Sequence, residues 1–181
     1  MRILITVEFF NPHKGGAEKV IEDLATGLVD RGHEVAVATS YLRSRKKMNI
    51  NGIDLVTFKI KGNYAEGIKG SPEEIKRYQN LLTDDRFDIV FNYAAQSWTT
   101  DLTLPVLNDI KGGKILAPVG YSRIKTLLYK KYFTVLPEYL NRYDKLVYHS
   151  AFYRDWVYGQ ENALSGRAVV VHNGAGEREF E

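Results

Sequence analysis

The passage from Ile3 to Leu28 constrains the fold more than any other. Ile3, Leu4, Ile5, Thr6 and Val7 are almost continuously apolar, the pattern of a strand buried on both faces of a parallel sheet. The stretch Glu8 to Lys19, EFFNPHKGGAEK, follows at once. From there apolar residues recur at Ala17, Val20, Ile21, Leu24, Ala25 and Leu28, the spacing of a single apolar stripe on an α-helix. Gly15 and Gly16 therefore sit where the carboxyl end of a strand turns into the amino end of a helix. In open α/β sheets ligands bind at that place, because unpaired N–H groups and the positive end of the helix dipole converge there.

The rest of the chain alternates in the same way. The first helix ends at Asp30-Arg31-Gly32, with Gly32 in the left-handed conformation of a helix stop. Glu34 to Thr39 is the second strand, and Ile53 to Ile60, with its partial alternation, is a third strand nearer a sheet edge. Between them Arg43 to Lys47 (RSRKK) reads first as a solvated, mobile loop, with a dedicated phosphate or lipid contact as its other reading. Gly62 to Gly70 has no clear period and is assigned to loop. Ser71-Pro72-Glu73-Glu74 starts a helix in which Ser71 caps, Pro72 fills the first turn and Glu74 reaches back, with Ile75, Tyr78 and Leu82 on the apolar face. Asp88 to Asn92 is the fourth strand. A helix begins at Ser97, is kinked or restarted at Pro105 and ends at Gly112-Gly113. Lys114 to Val119 is the fifth strand. Arg123 to Arg142 is helical in pattern and is expected to be split by Pro137. Asp144 to Tyr148 is the sixth strand, Ser150 is placed to cap a short helix ending near Gly159, and Arg167 to Val171 is the seventh strand, followed by a turn at His172-Asn173-Gly174. This order specifies one Rossmann-like α/β domain over residues 1–181, a doubly wound, mostly parallel sheet of about seven strands with helices on both faces.

Composition narrows the chemistry. The chain has no cysteine, which excludes structural disulfides, thiolate zinc sites and cysteine nucleophiles. Its net charge of +3 is too mild an excess to point to nucleic acid. The few residues before Glu8 are shorter than the apolar core of a secretory signal, and no later run reaches the length of a membrane span. The chain is therefore expected to be soluble or peripheral. In the helix from Arg123, Leu127, Leu128, Leu136 and Leu140 stand amid Lys125, Lys130, Lys131 and Arg142 and several tyrosines. Aromatic residues at helical spacing read first as core; the other reading is a basic, aromatic face lying on a membrane or in a groove.

Alone, Gly15-Gly16 is a tight turn, since glycine tolerates the angles that a strand-to-helix connection needs. The loop is not the dinucleotide fingerprint, because no G-x-G-x-x-G follows the first strand, and it is not a P-loop, because no Gly-Lys-Ser or Gly-Lys-Thr follows. What remains is a longer loop with Pro12 and two residues whose bare backbone can meet a phosphate at the helix start. His13 beside the glycines reads as a surface residue, His149 as the residue before a helix cap, and His172 as part of a turn.

Three stretches carry a resemblance. PHKGGAEKVIEDLATGLVDRGHEVAVAT is similar to the opening of the family 4 glycosyltransferases, retaining enzymes of the GT-B fold, where a P-x-x-G-G-A-E loop and helix precede R-G-H-E-V and a strand. YDKLVYHSAFYRDWV resembles that family's strand ending in a serine-capped helix, and VVVHNGAGEREF resembles the segment that closes its amino-terminal domain. Together they cover both ends of the chain in the family's order.

The resemblance implies a two-domain enzyme that transfers a sugar from a nucleotide-sugar donor to a glycan or lipid-linked acceptor with retention of configuration. The donor is held mainly by the second domain and the acceptor by the first. The present chain corresponds to the acceptor-side domain, and the carboxyl-terminal donor-binding domain, with its acidic pair and basic residues, would lie beyond Glu181. Alone the chain is expected to be inactive. Gly15 and Gly16 match the glycines whose amides approach the donor diphosphate, where such donors stabilise the charge on the leaving group. The implied chemistry passes through an oxocarbenium-like state and needs no metal ion or cofactor. Many family members place a histidine after the fifth strand, where APVGYSR has Gly120. For the acceptor, Asn92, Tyr93, Gln96, Ser97 and Trp98 after the fourth strand can hydrogen-bond hydroxyls and stack on a sugar face, with Gly120, Tyr121 and Arg123 beside them. Ser97 and Trp98 have capping and packing as their other reading, and Arg123 and Lys125 have solvated surface charge. Asn173-Gly174 reads as the turn into the second domain. Expected partners are thus a nucleotide-sugar, a carbohydrate or lipid-linked acceptor and a peripheral membrane contact, without nucleic acid, at the cytoplasmic, inner face of a membrane. Against this hexosyltransferase-type reading stand a noncatalytic, glycan-binding or regulatory member of the family and an unrelated nucleotide-binding α/β enzyme.

Overall fold

The apolar run at the amino terminus becomes the centre of the sheet. The computed structural model describes residues 1–162 and 165–174. In chain order they form β1 (Arg2–Thr6), α1 (Gly16–Asp30), β2 (Glu34–Ser40), β3 (Asn49–Ile50), β4 (Ile53–Phe58), β5 (Lys61–Asn63), β6 (Gly67–Lys69) and α2 (Pro72–Leu82). Then follow β7 (Ile89–Tyr93), α3 (Trp98–Thr103), β8 (Gly113–Ala117), α4 (Leu127–Leu140), β9 (Lys145–Tyr148), α5 (Arg154–Glu161) and β10 (Ala168–Val170). The strand order in the main sheet is β10-β9-β8-β7-β1-β2-β4-β3, and β5 and β6 form a separate ribbon. Every neighbour in the main sheet is parallel except β3, which pairs antiparallel with β4.

The two faces follow from the period of the strands. Ile3, Ile5, Val7, Val35 and Val37 pack on Ile21 and Ala25 of α1, whereas Leu4, Ala38, Val90 and Leu116 pack against the core side of α2, α3, α4 and α5. Helices thus lie on both faces, as the doubly wound reading requires, but unequally. On the α1 face, Ile89, Phe91, Ile115 and Val147 are only partly buried and line an open apolar groove with Leu24. Leu24, expected on the buried stripe of α1, is exposed for that reason. Helix α1 ends as the sequence indicates. Gly32 has φ +80, and the bonds from Gly32 N–H to Val29 O (2.8 Å) and His33 N–H to Leu28 O (3.1 Å) close the last turn.

Several expectations need correction. The stretch Gly62 to Gly70 contains the ribbon β5/β6, whose turn is made by Asn63 Oδ1 accepting from the N–H groups of Ala65 (3.0 Å) and Glu66 (2.9 Å); side-chain turn chemistry stands in for apolar periodicity there. Ser71 caps α2 through Glu74 N–H at 3.3 Å, but the Glu74 carboxylate turns away to accept from Lys59 N–H at 2.7 Å. Ser150 does not cap α5, which starts only at Arg154; its hydroxyl accepts from Phe152 N–H at 3.1 Å. Helix α4 starts at Leu127, not Arg123, and Pro137 does not split it. A proline leaves the carbonyl four residues earlier without its helical donor, and here Tyr158 supplies one, its hydroxyl donating to Phe133 O at 2.7 Å. The segment Ala175 to Glu181 of the closing motif, with Phe180, lies outside the described residues.

Candidate functional site

The carboxyl ends of the parallel strands form one mouth, and the loop after β1 is at its middle. That loop is tied to β2, because Glu8 O accepts from Ser40 N–H at 2.9 Å and from Thr39 Oγ1 at 3.0 Å. Arg45 fixes it further. Its guanidinium donates to Asn11 O (2.7 Å), Phe10 O (2.8 Å) and Ser40 O (2.8 Å), so the RSRKK cluster is not a uniformly solvated loop. Three convergent carbonyls account for the difference, since a planar fork can satisfy them together. Burial holds the Arg45 pKa below its ordinary value. Substituting Arg45→Met is expected to lower stability by roughly 2 kcal/mol, the scale of hydrogen bonds made by a charged group, and to speed amide exchange over residues 10–16. Unchanged exchange there would remove Arg45 as the clamp.

The glycine pair divides into two roles. Gly15 is the N-cap of α1 and has extended backbone, and no side chain caps the helix. A Cβ on Gly15 would stand 2.3 Å from Glu18 Oε2, so the absence of a side chain there makes room for that carboxylate. Glu18 is buried and held by His13 Nδ1 at 3.0 Å, and His13 stacks on Phe9 with centroids 4.8 Å apart. His13 is exposed, as expected, yet anchored. A Cβ on Gly16 would meet nothing within 4 Å. Its surface opens on the mouth at the positive end of α1.

The loops after β7 and β8 form the adjoining wall. Ala94 (φ 71), Gln96 (φ 55), Val119 (φ 61) and Arg123 (φ 54) all have left-handed backbone, as does Gly120 (φ 89). For a β-branched residue such as Val119 this is a strained state, and such states collect at ligand sites. A reciprocal contact locks the two loops. Gln96 Nε2 donates to Ser122 O at 3.0 Å, and Ser122 N–H donates to Gln96 Oε1 at 2.8 Å. Arg123 pairs with Glu66 of the ribbon turn at 2.9 Å, and Gly120 N–H donates to Asp155 Oδ2 at 2.9 Å.

The expected acceptor residues separate by burial. Gln96, Gly120 and Arg123 are brought together around Ser122 at the surface of the mouth. Asn92 is fully buried, donating to Thr6 Oγ1 (2.7 Å) and Thr103 Oγ1 (3.0 Å) and accepting from the Tyr143 hydroxyl (2.9 Å). Trp98 is fully buried against Tyr78 and donates to Ser40 Oγ at 2.9 Å. Ser97 donates to Ala94 O at 3.0 Å, and Tyr121 is buried between Phe133 and Tyr158. Tyr93 is buried on the α1 face. Its hydroxyl lies 3.3 Å from His149 Nε2, and burial, then the Glu18 charge, push its pKa up to about 12. His149 Nδ1 donates to Val171 O at 3.0 Å, and His172 Nδ1 donates to His149 O at 3.0 Å. These two histidines therefore tie β9 to the segment after β10.

Residue patterning did not single out Glu8, Glu18, Ser122 or Asp101, and it marked Arg45 only as part of a basic cluster. Glu18 is part of the G-G-A-E motif and could have been taken from it; Glu8, Ser122 and Asp101 carry no local signal. Burial, then the charge of Glu18, raises the Glu8 pKa above the ordinary carboxylate value. Asp101 Oδ2 accepts from Tyr64 N–H at 2.7 Å, while Oδ1 is buried without a partner among the described residues. Burial pushes this carboxyl up to about 7, against the pull of the Tyr64 amide. Among the described residues no group of three or more His, Asp or Glu side chains is arranged to hold a metal ion, and no helix is long and apolar enough to cross a membrane.

The model of Glycosyltransferase Family 4 matches residues 14–176. No curated protein matches in sequence. Among solved structures, a glycosyltransferase from Rickettsia africae ESF-5 is 18% identical with a TM-score of 0.67 over 99% of this chain and 45% of that one. Sucrose-phosphate synthase from Thermosynechococcus elongatus is 10% identical with a TM-score of 0.68 over 97% of this chain and 48% of that one. Anabaena HepE in complex with UDP-glucose is 13% identical with a TM-score of 0.60 over 97% and 44%. At these identities the likeness speaks for the fold, a Rossmann-like half of the GT-B architecture. The chain spans less than half the length of each of these three relatives.

Proposed function

This chain belongs to glycosyltransferase family 4, and from that premise we propose that it is the acceptor-side half of a retaining, hexosyltransferase-type enzyme. In this reading a nucleotide-sugar, held chiefly by a second domain, presents its diphosphate to the amino terminus of α1. The exposed backbone at Gly16, with open space where a side chain would be, is the observation that carries the proposal. Amide donors and the helix dipole there would stabilise the charge that builds on the departing diphosphate. A nucleotide-sugar donor is further supported by the UDP-glucose in the HepE structure.

The acceptor, a glycan or lipid-linked sugar, would lie against Gln96, Gly120, Ser122 and Arg123. Asn92, Ser97, Trp98 and Tyr121 support that wall from behind, and Tyr93 supports the floor on the α1 side. The chemistry calls on no metal ion or cofactor from this half, and the enzyme would work in the cytoplasm. The test is nucleoside diphosphate release from a panel of nucleotide-sugars by the protein carrying both halves, with and without added glycan acceptors. Release with at least one UDP-sugar, and none by residues 1–181 alone, is expected. Silence across the whole panel would favour a noncatalytic, glycan-binding member of the family.

A further inference from the structure

A surface at the β8–β9 end of the mouth is apolar where a water-soluble protein ought not to be. Leu127 is 90% exposed, Leu128 51%, Phe152 91%, Tyr153 56% and Val157 47%. None belongs to the buried stripe of α4, which consists of Tyr129, Tyr132, Phe133, Leu136 and Leu140. Leu127, Phe152 and Val157 line two adjoining cavities, with Leu128 and Tyr153 next to them in the chain. The ridge Ile124-Lys125-Thr126 separates a cavity of about 570 Å³, shared with Phe152, Arg154 and Val157, from one of about 310 Å³, shared with Leu127 and Lys130. Lys125, Lys130 and Arg154 are exposed there, and none forms an ion pair among the described residues. Glu161 at the rim of the larger cavity is the acid nearest to them in its lining.

We propose that this surface docks on an anionic lipid bilayer, with Leu127, Leu128 and Phe152 entering the headgroup boundary and Lys125, Lys130 and Arg154 contacting lipid phosphates. Exposed large apolar side chains flanked by unpaired cations are the combination that an anionic interface rewards twice, by burying apolar area and by charge attraction. A second copy of the chain would set the three cations against their own counterparts, so charge complementarity favours the membrane. Strand β8 is two positions from β1, about 10 Å at the usual strand spacing, so a docked protein would hold the Gly16 mouth next to the lipid surface. Docking on lipid does not depend on the proposed sugar transfer, and either can fail without the other.

The test is co-sedimentation of the chain with vesicles of phosphatidylcholine plus phosphatidylserine, and with phosphatidylcholine alone. Binding to the mixed vesicles at low salt, weakened by high salt and by omission of phosphatidylserine, is expected. Each basic residue near an anionic surface is worth about fivefold, so Lys125→Ala, Lys130→Ala and Arg154→Ala together should weaken partitioning on the order of 100-fold. Leu127→Ser with Phe152→Ser should weaken it roughly tenfold or more on the same vesicles. Thermal melts check that each variant is folded, and the exposed charge variants carry the test if the serine variant is not. No binding at low salt, or binding that both variants leave intact, would overturn the proposal. So would vesicle-free self-association abolished by Leu127→Ser and Phe152→Ser, which would assign the surface to a second copy.

Discussion

Replacing Gly16 by valine, in the protein carrying both halves, is expected to lower kcat/KM for sugar transfer on the order of 100-fold, the scale for losing one donor at a developing anion. The fold should tolerate the change. A Cβ at this position meets nothing within 4 Å, and valine is no worse than glycine in a helix. The new isopropyl group would stand where the diphosphate has to approach the first amides of α1, so the loss falls on the transition state and on donor binding rather than on stability. Gly15 is a poorer probe, because its Cβ would press on Glu18 at 2.3 Å and disturb the His13–Glu18 pair. A Gly16→Val enzyme with an unaltered melting temperature and unaltered kcat/KM would take this helix end out of the site.

The second large effect concerns Asp101 and pH. Its carboxyl is raised from an ordinary 3.8 to about 7 by burial, so the folded state binds this proton more tightly than the unfolded state. The sign follows from linkage. The contribution of the protonated group is fully present below the ordinary value and is lost as pH rises through about 7. A shift of that size corresponds to about 4 kcal/mol as an upper figure, or a change in Tm on the order of 10 °C for a chain of this length. Asp101→Asn keeps an oxygen for the Tyr64 amide and removes the charge. The variant should therefore lack the decline in Tm that the parent shows between pH 4 and pH 8. Parallel Tm curves for the two proteins would show that Asp101 is not the titrating group. Because Asp101 anchors the ribbon whose Glu66 holds Arg123, its ionisation also bears on the proposed acceptor wall.

Much of this architecture was legible beforehand. The strands at β1, β2, β7, β8 and β9 stand within a residue or two of their apolar runs, because a run of that kind has few alternatives in a buried parallel sheet. Gly32 and Ser71 acted locally, as caps do. Elements that depend on partners distant in the chain were not legible. The ribbon β5/β6 rests on Asn63 and on contact with α3, and the unbroken course of α4 through Pro137 rests on Tyr158, twenty-one residues later in number. The loop Arg43 to Lys47 carries the charge of a solvated segment, yet Arg45 is turned inward by three carbonyls, two from the loop after β1 and one from the end of β2.

The candidate site divides along the same line. The sequence by itself determined that a bare backbone pair would lie at a strand-to-helix junction of a parallel sheet, and the motif order placed the chain in its family. Both depend on local spacing, which a sequence records directly. The strand order put that junction at the middle of the sheet. Tertiary structure alone decided which polar residues of the mouth remain free. Asn92 is withdrawn by Thr6, Thr103 and Tyr143, and Trp98 by Ser40 and Tyr78, while Gln96 and Ser122 lock two strained loops at the rim. A polar side chain goes to whichever partner satisfies it at the least cost of desolvation, and those partners come from segments that only the folded chain brings together.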